Sequence, residues 1–180
     1  MMLQENLARL KEVLRSAGRP VVDALLPGIE IDGSRSTQGS FPDDARVWFA
    51  WTSGLRESPV LTVDESSLIP GYYPISLEES RGYVEAWGAN AAHDVGGEHY
   101  LPFLGAPNGD NYAFVWSPDE YTGIAGFLVG ESVEIEFTSL EQMLNYVLEC
   151  YAEGAFYADS AGLLSMNADL CDAILERIQD

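Results

Sequence analysis

Two histidines are all the chain has, and both fall in one stretch, "HDVGGEH" at residues 93–99. His93, Asp94, Glu98 and His99 offer two imidazoles and two carboxylates, the donor types of an acid–base or metal cluster. Their spacing matches neither the helical HExxH, which sets its histidines one turn apart, nor a zinc pattern, and the two glycines read as a surface loop. No metal and no cofactor is expected. Nucleophiles fare no better. A catalytic serine needs an elbow such as GxSxG, which does not occur, whereas Ser76 and Ser139 stand three residues before Glu79 and Gln142, the spacing of helix caps. Cys150 lies beside the apolar stripe of a helix and reads as a buried structural thiol. Cys150 and Cys171 are the only cysteines, sit in no CxxC, and make no disulfide framework. "GAPNGDN" lacks the Lys-Ser/Thr of a P-loop.

Carboxylates are plentiful instead. Twenty-nine acidic residues face nine basic ones, for a formal net charge of −20. The pairs Asp43–Asp44, Glu78–Glu79 and Asp119–Glu120 read as helix-start charges or solvated turns. A glycosidase would need two carboxylates across a cleft, and no pair stands out. No catalytic residue is therefore assigned. The charge argues against nucleic acid, which needs a basic footprint, and against anionic membrane surfaces. It favours a basic protein partner, attracted over distance, and it also serves solubility. No apolar run approaches the roughly 20 residues of a membrane span. "MMLQENLARLKEVLRSAG" is broken by Gln4, Glu5, Arg9, Lys11 and Glu12 and so does not read as a secretory signal, which makes the cytoplasm the expected compartment.

The elements that would position these groups follow from periodicity. Leu3, Leu7, Leu10 and Leu14 predict an amphipathic helix over 3–16, ended by Gly18, Arg19 and Pro20. "VVDALLPG" is a short apolar segment of open type, and "GIEIDGSRSTQGS" (28–40) reads as a loop with a brief strand at Ile29–Ile31. In "FPDDARVWFAWTSG", Pro42, Asp43 and Asp44 suit a helix start and Gly54 a left-handed C-terminal cap. Val47, Trp48 and Trp51 share one side of that helix, and Phe49 points elsewhere, towards a second packed layer. A nucleic-acid stacking platform would interleave several cations here, and only Arg46 is present, so the aromatics are expected in the core. "VLTV" (60–63) is a candidate strand. "SLEESRGYVEAWG" is a capped helix stopped by Gly88, in which Gly82 is expected to permit close packing. Strands follow at "HYLPFL", at "NYAFVW" after an Asn108-Gly109 turn, and at "GIAGFLVG". In "VEIEF", Val133, Ile135 and Phe137 are expected inward and Glu134 and Glu136 outward, on a strand wet on one side. Helices over about 140–151 and 168–178 close the chain. The order predicts an α+β domain with a mostly antiparallel sheet.

This ordered set resembles the SUKH superfamily. A proline followed by an aromatic-rich helix ending in glycine ("FPDDARVWFAWTSG"), a later Trp-containing helix, "LPFL", "GDNYAF", a Gly-rich strand and the closing "SLEQMLNYVLE" helix carry the likeness over residues 38 to 153. The leucine that precedes the proline in that family is Phe41 here, and Val115 and Trp116 stand where many members carry an aspartate. The resemblance implies a single SUKH-like domain over 1–154, including the N-terminal helix, and a C-terminal helical extension over 155–180 packed on the same domain.

It also implies a binding protein rather than an enzyme. Bacterial relatives are immunity proteins that neutralise toxins, often nucleases, and fungal relatives regulate cell-wall assembly. The leading expectation is a cytoplasmic, non-enzymatic immunity protein for a basic, nuclease-type toxin domain. The alternatives are a regulatory scaffold of cell-wall or signalling machinery and, more remotely, an acid–base hydrolase using His93, His99 or a carboxylate pair. The sheet face and the exposed loops at Asp110 and at Asp119–Glu120 are the expected contact surface, with Asp43 and Asp44 next.

Overall fold

A computed structural model describes residues 2–31, 40–57 and 60–179. Its elements are α1 (Met2–Ser16), α2 (Val21–Ala24), α3 (Asp43–Trp51), α4 (Val63–Ser66), β1 (Tyr73–Pro74), α5 (Leu77–Trp87), β2 (His99–Gly105), β3 (Asn111–Ser117), β4 (Glu120–Phe127), β5 (Glu134–Phe137), α6 (Leu140–Ala152), β6 (Phe156–Ala158), β7 (Leu164–Met166) and α7 (Ala168–Gln179). Strands β1 to β5 form one sheet in chain order, every neighbouring pair antiparallel, and β6–β7 form a separate hairpin. The fold is α+β with an antiparallel sheet.

Strand β3 lies in the middle, and its alternation divides the core as the period of two requires. Phe114 and Trp116 join the large cluster with α1, α3, α6 and α7, while Ala113 and Val115 join a smaller one beneath α5. Both faces of the sheet are thus covered, and neither is a free contact surface as expected from the sequence. Phe156, Leu164, Cys171 and Ile174 extend the large cluster into the C-terminal segment, which begins with the β6–β7 hairpin rather than being wholly helical.

Helix boundaries follow their chemistry. Ser76 and Glu79 make a reciprocal capping box on α5, Gly88 (φ 91°) stops it, and Ser139 caps α6 through the Gln142 N–H. Gly18 (φ 67°) ends α1. The "VVDALLPG" segment becomes α2 followed by extended chain that lies along 49–56. Leu26 N–H donates to Gly54 O (2.9 Å) and Ile29 N–H to Phe49 O (2.7 Å), which satisfies a carbonyl at the end of α3.

Several sequence expectations change. "VLTV" is no strand: Thr62 caps α4 in a capping box with Glu65, a local bonding option that a β-rich composition hides. Ile29–Ile31 is irregular, and residues 32–39 of that loop lie outside the described residues. Gly54 is not the α3 cap, which is the extended Thr52. It is glycine because φ is 112° and a Cβ would meet Ser76 N at 2.8 Å. Phe49 enters the same core as Trp48, since α3 is enclosed on more than one side. Gly82 faces open space, so close packing does not account for it.

The clearest departure is at β5. The register slips between Ile124 and Ala125, so that Phe137 pairs Ile124 towards the large core and Ile135 pairs Ala125 towards the small one. A bulge of this kind breaks the alternation and turns Glu136 inward. Its Oε2 accepts the Tyr112 hydroxyl at 3.0 Å, and the carboxylate lies over Gly126, where a Cβ would stand 2.1 Å from Oε1.

Candidate functional site

The fold separates the five acidic residues expected at a contact surface, Asp43, Asp44, Asp110, Asp119 and Glu120. Strand β3 runs from Asp110 at one end of the sheet to the Asp119–Glu120 turn at the other, seven strand residues apart, or about 23 Å of extended chain. Asp43 and Asp44 belong to the second end, because Asp44 lies beside Tyr121, the residue after Glu120. Asp43, Asp119 and Glu120 are exposed, with Asp43 3.5 Å from Arg46. Asp44 is occupied internally: its Oδ2 accepts the Leu140 N–H at 2.7 Å and so fastens the start of α6 to the start of α3. Asp110 is likewise tied. Its Oδ1 accepts Val129 N–H (2.8 Å), its Oδ2 accepts Asn108 Nδ2–H (2.8 Å), and its own N–H donates to Asn108 Oδ1 (3.1 Å).

The "HDVGGEH" stretch forms a short 3-10 turn at His93–Val95 and then enters β2. His93 and Asp94 are exposed, and the His99 ring packs on Trp116 at 5.6 Å. Among the described residues no group of three His, Cys, Asp or Glu could hold a metal. Cys150 and Cys171 are buried side by side between α6 and α7, and burial pushes the Cys150 thiol up to about 12, so it is a packed thiol rather than a thiolate.

Charge is distributed unevenly along the chain. Residues 1–56 hold seven basic and seven acidic residues, whereas 57–180 hold twenty-two acidic and only two basic, Arg81 and Arg177. The entire net charge therefore belongs to residues 57–180, which hold the sheet, α4 to α7 and the β6–β7 hairpin. Arg177 is already paired, with Glu149 at 2.5 Å and Glu153 at 2.6 Å. No lysine or arginine occurs between Arg81 and Arg177, a span legible in the sequence that leaves this part of the chain strongly negative.

At the Asp110 end, Glu131, Glu134 and Glu136 gather around Tyr72 and Tyr112, whose rings pack at 4.9 Å. Burial, and then the neighbouring carboxylates Asp110, Glu136 and Glu131, push the Tyr72 hydroxyl up to about 12. Burial likewise raises the Glu136 carboxyl, with Glu134 and Glu131 adding to the rise and the Tyr112 hydrogen bond opposing it. A carboxyl raised on folding binds more protons folded than unfolded, so its stabilising contribution is present at low pH and lost as pH rises through the folded value. Glu136→Gln is therefore expected to unfold at a higher temperature than the wild type at pH 7, with the gap closing as pH falls to the ordinary carboxylate range near about 4. Thermal unfolding measured across pH checks this, and a gap that stays constant with pH would contradict it.

Sequence reading missed Glu131, Glu136 and a groove formed beside α5 by Tyr83 and Trp87. The bulge and the folding of two hairpin loops onto α5 are tertiary events with no local signature. No helix among the described residues is long and apolar enough to cross a membrane. Neither a scan against protein-family models nor a search of curated proteins finds a match to this chain.

Proposed function

We propose that this chain is a non-enzymatic binding protein, a cytoplasmic immunity protein of the SUKH type that captures a basic, nuclease-type toxin domain and covers its substrate cleft. The observation that carries the reading is the charge distribution: twenty-two acids against two bases over residues 57–180, on a scaffold whose apolar faces are filled. A nuclease binds a polyanion and must line its cleft with cations. An acidic protein presents the same sign of charge to that cleft, and the summed field speeds encounter before any contact forms. The ordered SUKH-like motifs supply the choice of an immunity role over other acidic binders.

Titrating the purified protein into the nuclease-type domain of any toxin encoded beside its gene tests this. Stoichiometric loss of nuclease activity and rescue of growth on co-expression are expected. Association should slow by about ten-fold or more as salt rises from about 0.01 M to about 0.5 M, since the Debye length contracts over that range. Unchanged activity at molar excess, with no rescue, would overturn the proposal. A salt-insensitive housekeeping partner, with no effect on the toxin, would point instead to a scaffold.

A further inference from the structure

A groove of about 690 Å³ runs between one side of α5 and the loops that carry Pro107–Gly109 and Val129–Gly130. Its walls are chiefly Tyr83, Trp87, Ala86, Pro107 and Val129, with Glu79 at one end. The aromatic tips are tied down inside the protein: Trp87 Nε1–H donates to Gly109 O at 3.0 Å, and Tyr83 O–H to Ala106 O at 2.9 Å. Gly105 lets the tyrosine lie there, because a Cβ at that position would stand 2.3 Å from its hydroxyl. Rings held by their polar ends keep a fixed orientation and offer their remaining surface to an occupant. Asp110 holds the two loops together through its bonds to Asn108 and Val129, so the groove is formed before anything enters.

Charge selects the occupant. Glu79 lines the groove, and Asp110 and Glu131 directly follow its lining residues Gly109 and Gly130. Among the described residues no basic one lines it. Arg81, the nearest cation in sequence, is two residues from Glu79, which on a helix is about 200° around the axis and away from the groove. Aromatic faces attract cations through their quadrupole, and flanking carboxylates strengthen that attraction. Val129, 61% exposed at the lip, provides apolar surface for an aliphatic stem. A second copy of this chain would bring a net charge of −20 to an acidic rim.

We propose that the groove receives an arginine or lysine side chain from a loop of the basic partner, its stem against Pro107 and Val129 and its cation beside Tyr83 and Trp87, with the Glu79 carboxylate, which also caps α5 through the Ser76 N–H, one helical turn beyond Tyr83. The partner class rests on the immunity reading, while the groove itself can be tested without the toxin. The probes are the blocked peptides acetyl-Gly-Arg-Gly-amide and its citrulline counterpart, an uncharged isostere, titrated into the ¹⁵N-labelled full chain. The arginine peptide should shift the Trp87 indole N–H and the Gly109 and Gly130 amides. The citrulline peptide should bind about ten-fold more weakly. Ala86→Arg, an exposed helical position that tolerates a long side chain, should abolish the shifts by filling the groove with a cation. Ala173→Arg, the same charge change on exposed α7, should leave them intact. Equal binding of citrulline would mean a neutral apolar occupant and overturn the proposal. So would shifts spread evenly over all acidic residues, shifts that follow protein concentration alone, or shifts that survive Ala86→Arg. If the toxin is not neutralised and the groove still responds, the immunity reading falls alone. If Ala86→Arg neutralises the toxin as well as wild type does, the groove proposal falls alone.

Discussion

Asp64→Ala is expected to remove about 3 kcal/mol of stability and to lower Tm by about 10 °C. The residue joins three distant parts of the chain. Its Oδ1 accepts the Leu164 N–H at 2.7 Å, its Oδ2 lies 3.4 and 3.3 Å from the two terminal nitrogens of Arg19, and its backbone carbonyl accepts from Arg19 as well. Arg19 is only 7% exposed, so truncating its partner leaves a buried cation with one carbonyl for company. The Leu164 amide at the start of β7 also loses its acceptor. Asp64→Asn keeps the shape and an acceptor for Leu164 and should fall between. Arg19→Met removes the buried charge itself, and because Asp64 is 21% exposed its carboxylate can turn to water, so this variant should lose less than Asp64→Ala. Urea unfolding ranks the three. A loss below about 1 kcal/mol for Asp64→Ala, as at a surface pair, would refute the argument.

Asp64 also marks where the sequence stops being informative. Its neighbours Thr62 and Glu65 cap α4 through contacts three residues apart, and such contacts are visible as spacing. The same holds for Ser76 with Glu79, for the leucine stripe of α1, and for the turn at Asn108-Gly109. The Ser76 cap, the α1 stripe and the Asn108-Gly109 turn are legible because their partners sit within a turn or two of each other, whereas the equally local Thr62–Glu65 cap is masked by the strand-like composition of 60–63. The roles of Asp44 on Leu140, Asp64 on Arg19 and Leu164, and Glu136 on Tyr112 join residues 24 to 100 positions apart. Nothing in a run of twenty-nine acids distinguishes these three from solvated ones. The candidate surface divides the same way. The absence of any cation between Arg81 and Arg177 is plain in the sequence, whereas the groove exists only once Asp110 has drawn the 129–130 loop to the 106–109 loop beside α5.

Position along the fold changes what each acid can do for a partner. Asp43, Asp119 and Glu120 project from the end of the sheet where the neutral N-terminal segment also reaches, through α3 and its Arg46. The opposite end has no such counter-charge in its own stretch of chain, and the Tyr83–Trp87 groove opens there. Long-range attraction depends on the sum of charges, while close contact depends on what lies between them, and only the Asp110 end combines the two.

The aromatic crowd in α3 sets the second large expectation. Trp48 is 1% exposed and lies edge-on to Phe103 at 4.8 Å, which in turn stacks on Phe114 at 4.2 Å, so α3 is fixed to the central strands through one continuous chain of rings. Trp48→Ala should cost about 4 kcal/mol, the transfer term plus a cavity that close-packed rings cannot collapse into. Against a total stability of about 5–15 kcal/mol for a domain, that leaves little margin. Trp48→Phe should cost only about 1–2 kcal/mol, because the indole N–H has no acceptor among the described residues and its removal breaks no hydrogen bond. Trp51 is only partly buried, with the Lys11 ammonium 5.3 Å from its ring, so Trp51→Ala should lose less than Trp48→Ala. Urea midpoints of the three variants decide the matter. A Trp48→Phe loss as large as that of Trp48→Ala would mean that the N–H is bonded in solution. A Trp51→Ala loss exceeding both would place the anchor of α3 on its outer edge and leave the ring chain through Phe103 secondary.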